Sequence, residues 1–258
     1  MKSKTAAIIE ARMNSSRLPG KVLMEMGGKP VLQILTERLS EAETLDEVMV
    51  ATTVNSSDDK IEELCRKLNI SCYRGSEEDV LGRVKEAAES VNTDTIVEIT
   101  GDCPLMDPEV ADYVVREYIN NFPGYDYVTN IGYTGNENRE IPLGMDVRVF
   151  SYKNLKEISE ITNDPEDREH VSLYFFRTGK ERFKLCNVSI PDKWKRNYKI
   201  RLTLDTKEDF ELIKVLYEEL SKTNRKFGLE DILNFTDKNR HLAEINSGVK
   251  QKKVKDLD

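Results

Sequence analysis

An α/β fold, with a mostly parallel sheet covered by helices on both faces, is predicted by the alternation of two kinds of segment in the first half of the chain. Short runs rich in apolar and β-branched residues are typical of buried strands and occupy 5–9, 47–54 and 95–100. Between them, apolar residues recur at helical spacing over 30–42, 56–68 and 80–91. A further helix is expected from Pro108 to about Asn121, because proline suits the first turn of a helix.

The second half is less regular, but it adds strands and one clear helix to the prediction. Strands are expected at 145–150, 183–188 and 201–204, and a helix at 207–220. No internal repeat or linker interrupts the sequence, so a single domain over 1–245 is the simplest organisation. The irregular segment 125–176 is the candidate for a dimer interface or a substrate-binding insertion, and the Lys-rich 246–258 is expected to be a flexible charged tail.

Composition limits the class of protein. The 258 residues carry 39 basic and 47 acidic side chains, a net charge of -8, which argues against a general nucleic-acid binder. No apolar run approaches the roughly 18 residues of a membrane span, and the N-terminal apolar stretch is too short for a signal peptide. We therefore expect a cytoplasmic protein with no membrane partner. The cysteines show no metal-ligand spacing, so we expect reduced thiols rather than a zinc site.

A basic loop follows the first predicted strand at 11–21. Arg12, Arg17 and Lys21 lie close to the carboxyl end of that strand, where open α/β sheets bind ligands. A Pro-Gly pair just before Lys21 predicts a tight turn. Three cations around one turn suit a triphosphate, because arginine can fork onto phosphate oxygens and lysine supplies a compact charge. The spacing is not that of a P-loop, and a solvated charged loop would give the same pattern.

Two aspartates follow two other predicted strands. Asp102 and Asp205 each come shortly after an apolar run. Magnesium usually takes one or two protein carboxylates and completes its shell with phosphate oxygens and water, so these two could hold it beside the basic loop. Each also has a plainer interpretation, since turn and cap aspartates are common and Thr206 has capping-box spacing to Asp209.

Two more polar residues are candidates for contact with a substrate. Asp146 opens an alternating strand, so its side chain faces either a pocket or solvent. His170 precedes an aromatic stretch, and a structural role is the commoner one for such a histidine. The sequence contains no Ser-His-Asp or Cys-His pattern for covalent catalysis.

Five segments of the chain together carry a family resemblance: 11–21, 74–83, 101–105, 168–171 and 204–206. They resemble the CMP-sugar synthetases, which include the cytidylyltransferases for 3-deoxy-manno-octulosonate and for acylneuraminate. The chain is most similar to the SpsF-like branch, named for a spore-coat polysaccharide biosynthesis protein. The resemblance spans roughly 5–215, and the ten-residue match at 74–83 is its most specific part.

The resemblance implies a three-layer α/β/α nucleotidyltransferase fold related to the GT-A glycosyltransferases. It also implies a magnesium-dependent enzyme that transfers CMP from CTP to a sugar or sugar acid and releases pyrophosphate. The product would serve surface polysaccharide or glycan biosynthesis. A homodimer is a candidate assembly, because relatives commonly dimerise.

The resemblance further implies roles for individual residues. Catalytic roles fall to Arg12, Lys21 and Asp102, and Mg2+ would be held by Asp102 and Asp205. Contacts to the nucleotide are implied for Ala11, Arg12, Ser16, Arg17, Lys21, Arg74, Gly75 and Asp102. Contacts to the sugar substrate are implied for Arg83, Asp146 and His170.

The match also has departures, and other functions stay open. Thr100 stands where the octulosonate enzymes have glutamine, which argues against octulosonate as the acceptor. A GT-A-type glycosyltransferase that uses a nucleotide sugar is one alternative, although Cys103 and Pro104 after Asp102 leave no clear DxD pair. A non-catalytic nucleotide-binding protein is another. The acceptor sugar and the choice of CTP over other triphosphates do not follow from spacing.

Overall fold

The computed structural model describes residues 3–133 and 139–251. The strands run in chain order as β1 Thr5–Glu10, β2 Glu25–Met26, β3 Lys29–Pro30, β4 Glu47–Thr53, β5 Ser71–Gly75, β6 Thr95–Thr100, β7 Tyr127–Thr129, β8 Arg148–Ser151 and β9 Leu185–Asn187. The α-helices are α1 Val31–Leu39, α2 Asp59–Leu68, α3 Val80–Ser90, α4 Pro108–Asn120, α5 Tyr152–Ile161, α6 Pro165–Glu169, α7 Leu173–Phe176, α8 Lys207–Thr223 and α9 Leu229–Lys238.

In this described part of the chain, strands pair into a seven-stranded sheet in the order β5-β4-β1-β6-β8-β7-β9. The pairs β4–β5, β1–β4, β1–β6 and β7–β9 are parallel, and β8 is antiparallel to both of its neighbours. The sheet is therefore mostly parallel and mixed, as the alternating pattern predicts. The short β2 and β3 form a separate hairpin.

Two apolar clusters, one on each face of the sheet, form the core. Successive strand residues point to opposite faces, so Ala7 and Ile9 of β1 join one cluster while Ala6 and Ile8 join the other. The first cluster packs α1, α2, α4, α8 and α9, and the second packs α3, α5 and α7. Helices on both faces make the three-layer α/β/α arrangement, which confirms the predicted fold class.

The parallel strands β1, β4 and β6 end together at one edge of the sheet, the carboxyl edge. The register pairs Glu10 with Ala51 and with Thr100, the last residues or nearly the last of their strands. Beyond β6 the chain stays against β1, because the Gly101 N–H donates to the Glu10 carbonyl at 2.9 Å. The loops that follow these strands are thereby brought side by side.

The segment 201–204 is not the strand that the sequence predicts. It is joined to the fold by a single bridge, in which the Leu202 N–H donates to the Leu143 carbonyl at 2.7 Å. Two residues later, the Leu204 N–H donates to the Asp102 carbonyl at 2.7 Å. The apolar run is buried, as a strand would be, but its hydrogen bonds go to two different loops. The apolar pattern correctly indicated a buried segment but did not show whether its backbone pairs with a strand.

The prediction of a flexible tail over 246–258 is wrong for its first residues, 246–251. Asn246 is 2% exposed, and its side-chain amide donates to the Arg201 carbonyl at 3.0 Å and to Asp209 Oδ1 at 2.8 Å. The segment 246–251 lies against the body of the protein, because polar side chains inside the fold bind it. The rest of the predicted tail lies outside the described residues.

Other boundaries shift by a few residues. The strand predicted at 145–150 is Arg148–Ser151, and that predicted at 183–188 is Leu185–Asn187. Among the residues described, no helix combines the length and the apolar character required to cross a membrane.

We expect Gly101→Ala to destabilise the carboxyl edge. An alanine Cβ at this position would lie 2.7 Å from the Glu10 carbonyl oxygen and 3.1 Å from Ala11 Cβ, so β1 and β6 would have to separate. Overpacking of this kind costs about 1–3 kcal/mol. Urea unfolding followed by circular dichroism measures the change. Gly248→Ala is the control, because its Cβ would meet nothing within 4 Å. Equal stability of the two variants would contradict the close approach.

Candidate active site

A cavity of about 290 Å³ opens at the carboxyl edge of the sheet, where the loop 11–21 faces the ends of β1 and β6. The ionisable side chains that line it are Glu10, Arg12, Arg17, Lys21, Arg83, Asp102, Glu169, His170 and Asp205. The parallel strand ends thus bring together residues that are far apart in the sequence.

The basic loop is fixed by hydrogen bonds from its own backbone. The Met13 N–H donates to Asp58 Oδ1 at 2.8 Å, and the Asp58 carboxylate also accepts from the hydroxyls of Thr52 and Thr53. The Gly20 N–H donates to the Met13 carbonyl at 2.9 Å. Gly20 adopts a left-handed conformation, with φ of 73°, that a side chain would disfavour. The chain therefore turns back at Gly20 and directs the next residue into the cavity.

Lys21 forms the centre of the site. Its Nζ donates to Asp102 Oδ2 at 3.0 Å and to Asp205 Oδ1 at 2.9 Å, so one ammonium joins the two strand-end carboxylates. Thr100 holds the other oxygen of Asp102 through a hydroxyl that donates at 2.6 Å. The aspartates that the sequence singled out from separate runs therefore do lie together, on either side of a cation of the basic loop.

For Lys21 and Asp102, charge pairing changes the pKa more than burial does. Burial alone would lower the pKa of Lys21, but the carboxylates of Asp102 and Asp205 raise it above its ordinary value. Burial alone would raise the pKa of Asp102, but the Lys21 ammonium and the Thr100 hydroxyl lower it. Lys21 and Asp102 are therefore both charged at neutral pH. A nucleotide would meet a preformed ionic cluster.

Asp205 is shared among three cations. Besides Lys21, it accepts from Arg17 Nη2 at 2.8 Å and from Arg201 Nη2 at 2.6 Å. Arg201 also donates from Nε to Asp209 Oδ1 at 2.8 Å. The sequence analysis did not single out Arg201. Its position four residues before Asp205, a candidate metal ligand, is the feature of the sequence that could have indicated Arg201.

The predicted helix cap after Asp205 is confirmed and helps to orient it. Thr206 and Asp209 form a capping box at the start of α8. Asp209 Oδ2 accepts from the backbone N–H of Asp205 at 2.9 Å. The two interpretations that the sequence left open are compatible, because the cap uses Thr206 and Asp209 and leaves the Asp205 side chain directed at the cations.

The two carboxylates suit magnesium better than zinc. Among the residues that the structure describes, no group of three or more His, Cys, Asp or Glu side chains could hold a metal. Asp102 and Asp205 offer only hard oxygen atoms, and the Lys21 ammonium already lies between the two carboxylates. Magnesium fits such a pair, since it commonly uses one or two carboxylates together with phosphate oxygens and waters.

Most of the residues that the resemblance assigned to substrates line the cavity. Ala11 is buried in its wall, Ser16 is exposed at its rim, and Arg83 and His170 face it. Arg12 is partly exposed, with Nη1 3.7 Å from Glu77 Oε1. Its guanidinium is thus tethered only weakly in the structure, and can turn to a ligand at small cost.

Three of the assigned residues do not line this cavity. Arg74 donates to the carbonyls of Thr53 and Asn55, both at 2.9 Å, so its guanidinium supports the loop after β4. Gly75 is packed under Arg83 and Tyr73, where a Cβ would come as near as 3.0 Å to an Arg83 carbon. Asp146 is buried and pairs with Arg139. These positions indicate support of the site rather than a wall of the cavity.

The C-terminal segment also reaches the site, and the sequence analysis missed this. Arg17 Nη1 donates to the Lys250 carbonyl at 3.2 Å, and Arg201 Nη1 donates to Gln251 Oε1 at 2.5 Å. Both arginines also bind Asp205. The segment 246–251 therefore helps to place two of the three cations on Asp205.

The fold is that of a nucleotidyltransferase. Within that class, the chain belongs to the cytidylyltransferase family, whose model matches residues 6–232.

Individual relatives agree with this family. The chain is 36% identical to the spore coat polysaccharide biosynthesis protein SpsF of Bacillus subtilis, over 82% of this chain and 85% of that one. A solved cytidylyltransferase structure from Leptospira borgpetersenii is 32% identical, with a TM-score of 0.85 over 98% of this chain and 99% of that one. A CMP:2-keto-3-deoxy-manno-octonic acid synthetase solved with CTP is 20% identical, with a TM-score of 0.61 over 84% of this chain and 99% of that one, and supports the fold alone.

We expect Asn246→Ala to destabilise the protein by about 1–3 kcal/mol, because Asp209 and the Arg201 carbonyl would each lose a buried donor. Urea unfolding measures the difference. Ser247→Ala is the neighbouring control, since Ser247 is exposed and its hydroxyl donates to the nearby Glu244 carbonyl. Its effect should stay within about 0.5 kcal/mol. If Asn246→Ala were as stable as Ser247→Ala, the packing of the C-terminal segment would be wrong.

Proposed function

We propose that this protein transfers CMP from CTP to a sugar or sugar acid and releases pyrophosphate. The observation that carries the proposal is the contact of Lys21 with Asp102 and Asp205 at the carboxyl edge, beside Arg12 and Arg17. Membership of the cytidylyltransferase family supports CTP as the donor. The relative SpsF, named for spore coat polysaccharide biosynthesis, supports a sugar acceptor and a role in surface polysaccharide or glycan synthesis.

The cations of the basic loop bind the triphosphate in this proposal. Arg12, Arg17 and Lys21 line one cavity, and two of them are already held against carboxylates. The charges of Arg17 and Lys21 are thus held in place before the reaction begins, so little reorganisation is needed as charge builds on the leaving pyrophosphate. The ordered backbone of the loop, tied down through Asp58, keeps these positions.

Asp102 and Asp205 are the residues that would hold Mg2+. When bound, the ion would neutralise phosphate charge and stabilise the departing pyrophosphate. Lys21 favours the ionised form of Asp102, because its ammonium lowers the pKa of that carboxyl group despite burial. Asp102 is therefore in the protonation state that a hard cation needs.

The acceptor side of the cavity is formed in part by Arg83 and His170. A hydroxyl oxygen of the acceptor would attack the α-phosphorus of CTP, forming the new phosphate ester as the bond from the α-phosphorus to the bridging oxygen breaks. Pyrophosphate leaves with the bonding electrons, and the hydroxyl proton passes to solvent. Such a transfer needs positioning and charge neutralisation rather than a protein nucleophile.

We expect Asp102→Asn and Asp205→Asn each to lower pyrophosphate release by about a hundredfold, since each removes one charge from the cation-binding pair while keeping the side-chain volume. The assay combines each of the four nucleoside triphosphates with a panel of nonulosonic acids, 3-deoxy-manno-octulosonate and sugar phosphates, with Mg2+ or with a chelator. CTP with Mg2+ should be the active combination.

Asp192→Asn provides the matched control, because the Asp192 side chain is almost fully exposed on the surface and should be dispensable. Full magnesium-dependent release by Asp102→Asn would contradict the assignment of the carboxylates. Consumption of a nucleotide sugar without pyrophosphate would instead identify a glycosyltransferase. Binding of CTP with no turnover of any acceptor would identify a non-catalytic nucleotide-binding protein.

A further inference from the structure

One corner of the cavity is formed by a carboxylate and a guanidinium that do not take part in the triphosphate site. Glu10 is the last residue of β1 and points to the same face of the sheet as Ala6 and Ile8, because side chains alternate along a strand. Arg83 lies in the first turns of α3, which packs on that face, and is 2% exposed. Both residues line the cavity.

Both side chains have buried polar atoms with unused hydrogen-bonding capacity. Within the described ranges 3–133 and 139–251, Glu10 Oε1 accepts no hydrogen bond and Arg83 Nε donates none. The Arg83 guanidinium is tethered at its other end, where Nη1 donates to the Ser76 carbonyl. Leaving such an atom unpaired is unfavourable, and native proteins rarely keep this cost without a ligand or a function.

A second pair lies behind them on the same face. Glu98 of β6 and Arg148 of β8 are cross-strand neighbours, with Arg148 Nη1 3.7 Å from Glu98 Oε1. Across the described chain, Glu98 Oε2 and Arg148 Nη1 also lack hydrogen-bond partners. Two acidic and two basic side chains therefore lie between the apolar cluster under α3 and the cavity, and their hydrogen bonding is incomplete.

The pKa shifts agree with this picture. Burial, reinforced by the neighbouring Glu98, raises the pKa of Glu10 well above its ordinary value. Burial lowers the pKa of Arg83, although Glu10 opposes the shift. The protein alone leaves both groups incompletely hydrogen-bonded, so a polar ligand in this corner would gain hydrogen bonds that the protein otherwise leaves unmade.

We propose that Glu10 and Arg83 form a subsite for a pair of adjacent hydroxyls on the acceptor. One hydroxyl donates to the Glu10 carboxyl group, and Arg83 Nε donates to the oxygen of its neighbour. The inference rests on the proposed function, and it makes Glu10 a specificity-determining residue for that reaction.

The same corner disfavours an anionic group of the acceptor. A carboxylate or phosphate placed against Glu10 would lie beside an acidic side chain that is backed by a second one, Glu98, whereas the other arginines of the cavity, Arg12 and Arg17, belong to the proposed triphosphate site. A neutral diol satisfies both kinds of unpaired atom, since a hydroxyl both donates and accepts. The acceptor therefore presents its polyhydroxylated part, rather than its acidic group, to β1.

The test is a set of kinetic measurements on Glu10→Ala and Glu10→Gln. The pyrophosphate assay identifies the best acceptor of the wild-type protein among nonulosonic acids, 3-deoxy-manno-octulosonate and sugar phosphates. Glu10→Ala should raise the KM for that acceptor by about tenfold and leave the KM for CTP within about twofold, because one hydrogen bond is lost at the acceptor alone. Glu10→Gln should recover part of the loss, since its amide oxygen still accepts.

Deoxy analogues of the same acceptor separate a direct contact from a structural effect. Removing the hydroxyl that binds Glu10 should weaken the acceptor with the wild-type protein and have little further effect with Glu10→Ala, so that the two changes are not additive. Glu25→Ala is the control, because Glu25 is exposed on the β2–β3 hairpin. It should leave every one of these parameters unchanged.

The outcomes distinguish the two proposals. The first case is that wild type releases pyrophosphate, but the effects of Glu10→Ala and every deoxy analogue are additive, or Glu10→Ala raises the KM values for CTP and acceptor together. The proposed subsite is then wrong, and the proposed cytidylyl transfer stands. If wild type releases no pyrophosphate with any acceptor in the panel, the proposed function fails and the subsite fails with it.

Discussion

The ion pairs that join Lys21 to Asp102 and Asp205 are the constraint on which the site depends. Two carboxylates held this close would repel each other, and burial would make their charges costlier. The Lys21 ammonium, 3.0 Å and 2.9 Å from their oxygens, offsets both effects. Because each partner comes from a different loop, this one cation joins the basic loop, the end of β6 and the segment before α8.

The surrounding structure serves to bring those three loops to one point. Parallel pairing of β1 and β6 fixes the first two, and Gly101 allows the chains to stay close beyond the strands. The third arrives through a backbone hydrogen bond from Leu204 to the Asp102 carbonyl. Arg201 and the C-terminal segment then hold Asp205 from behind, so charge neutralisation at the edge is spread over several residues rather than left to Lys21 alone.

Much of the fold and part of the site could be predicted from local pattern. Strands and helices of the first half follow from apolar periodicity, and the basic loop and both aspartates follow from their places after apolar runs. The errors share one cause. The run 201–204 is buried without being a strand, and Asn246 is buried in a Lys-rich segment; in both cases a partner distant in the sequence decides the local structure.

The sequence by itself determined the α/β class, the family, and the residue types available to bind a phosphate and a cation, because these depend on periodicity and on motifs read along the chain. Only the tertiary structure decided which of those residues meet. Lys21 and Asp205 are 184 positions apart, and no local spacing reports their contact. The unpaired atoms of Glu10 and Arg83 are likewise visible only in three dimensions, since satisfaction of a buried polar atom depends on every neighbour that the fold provides.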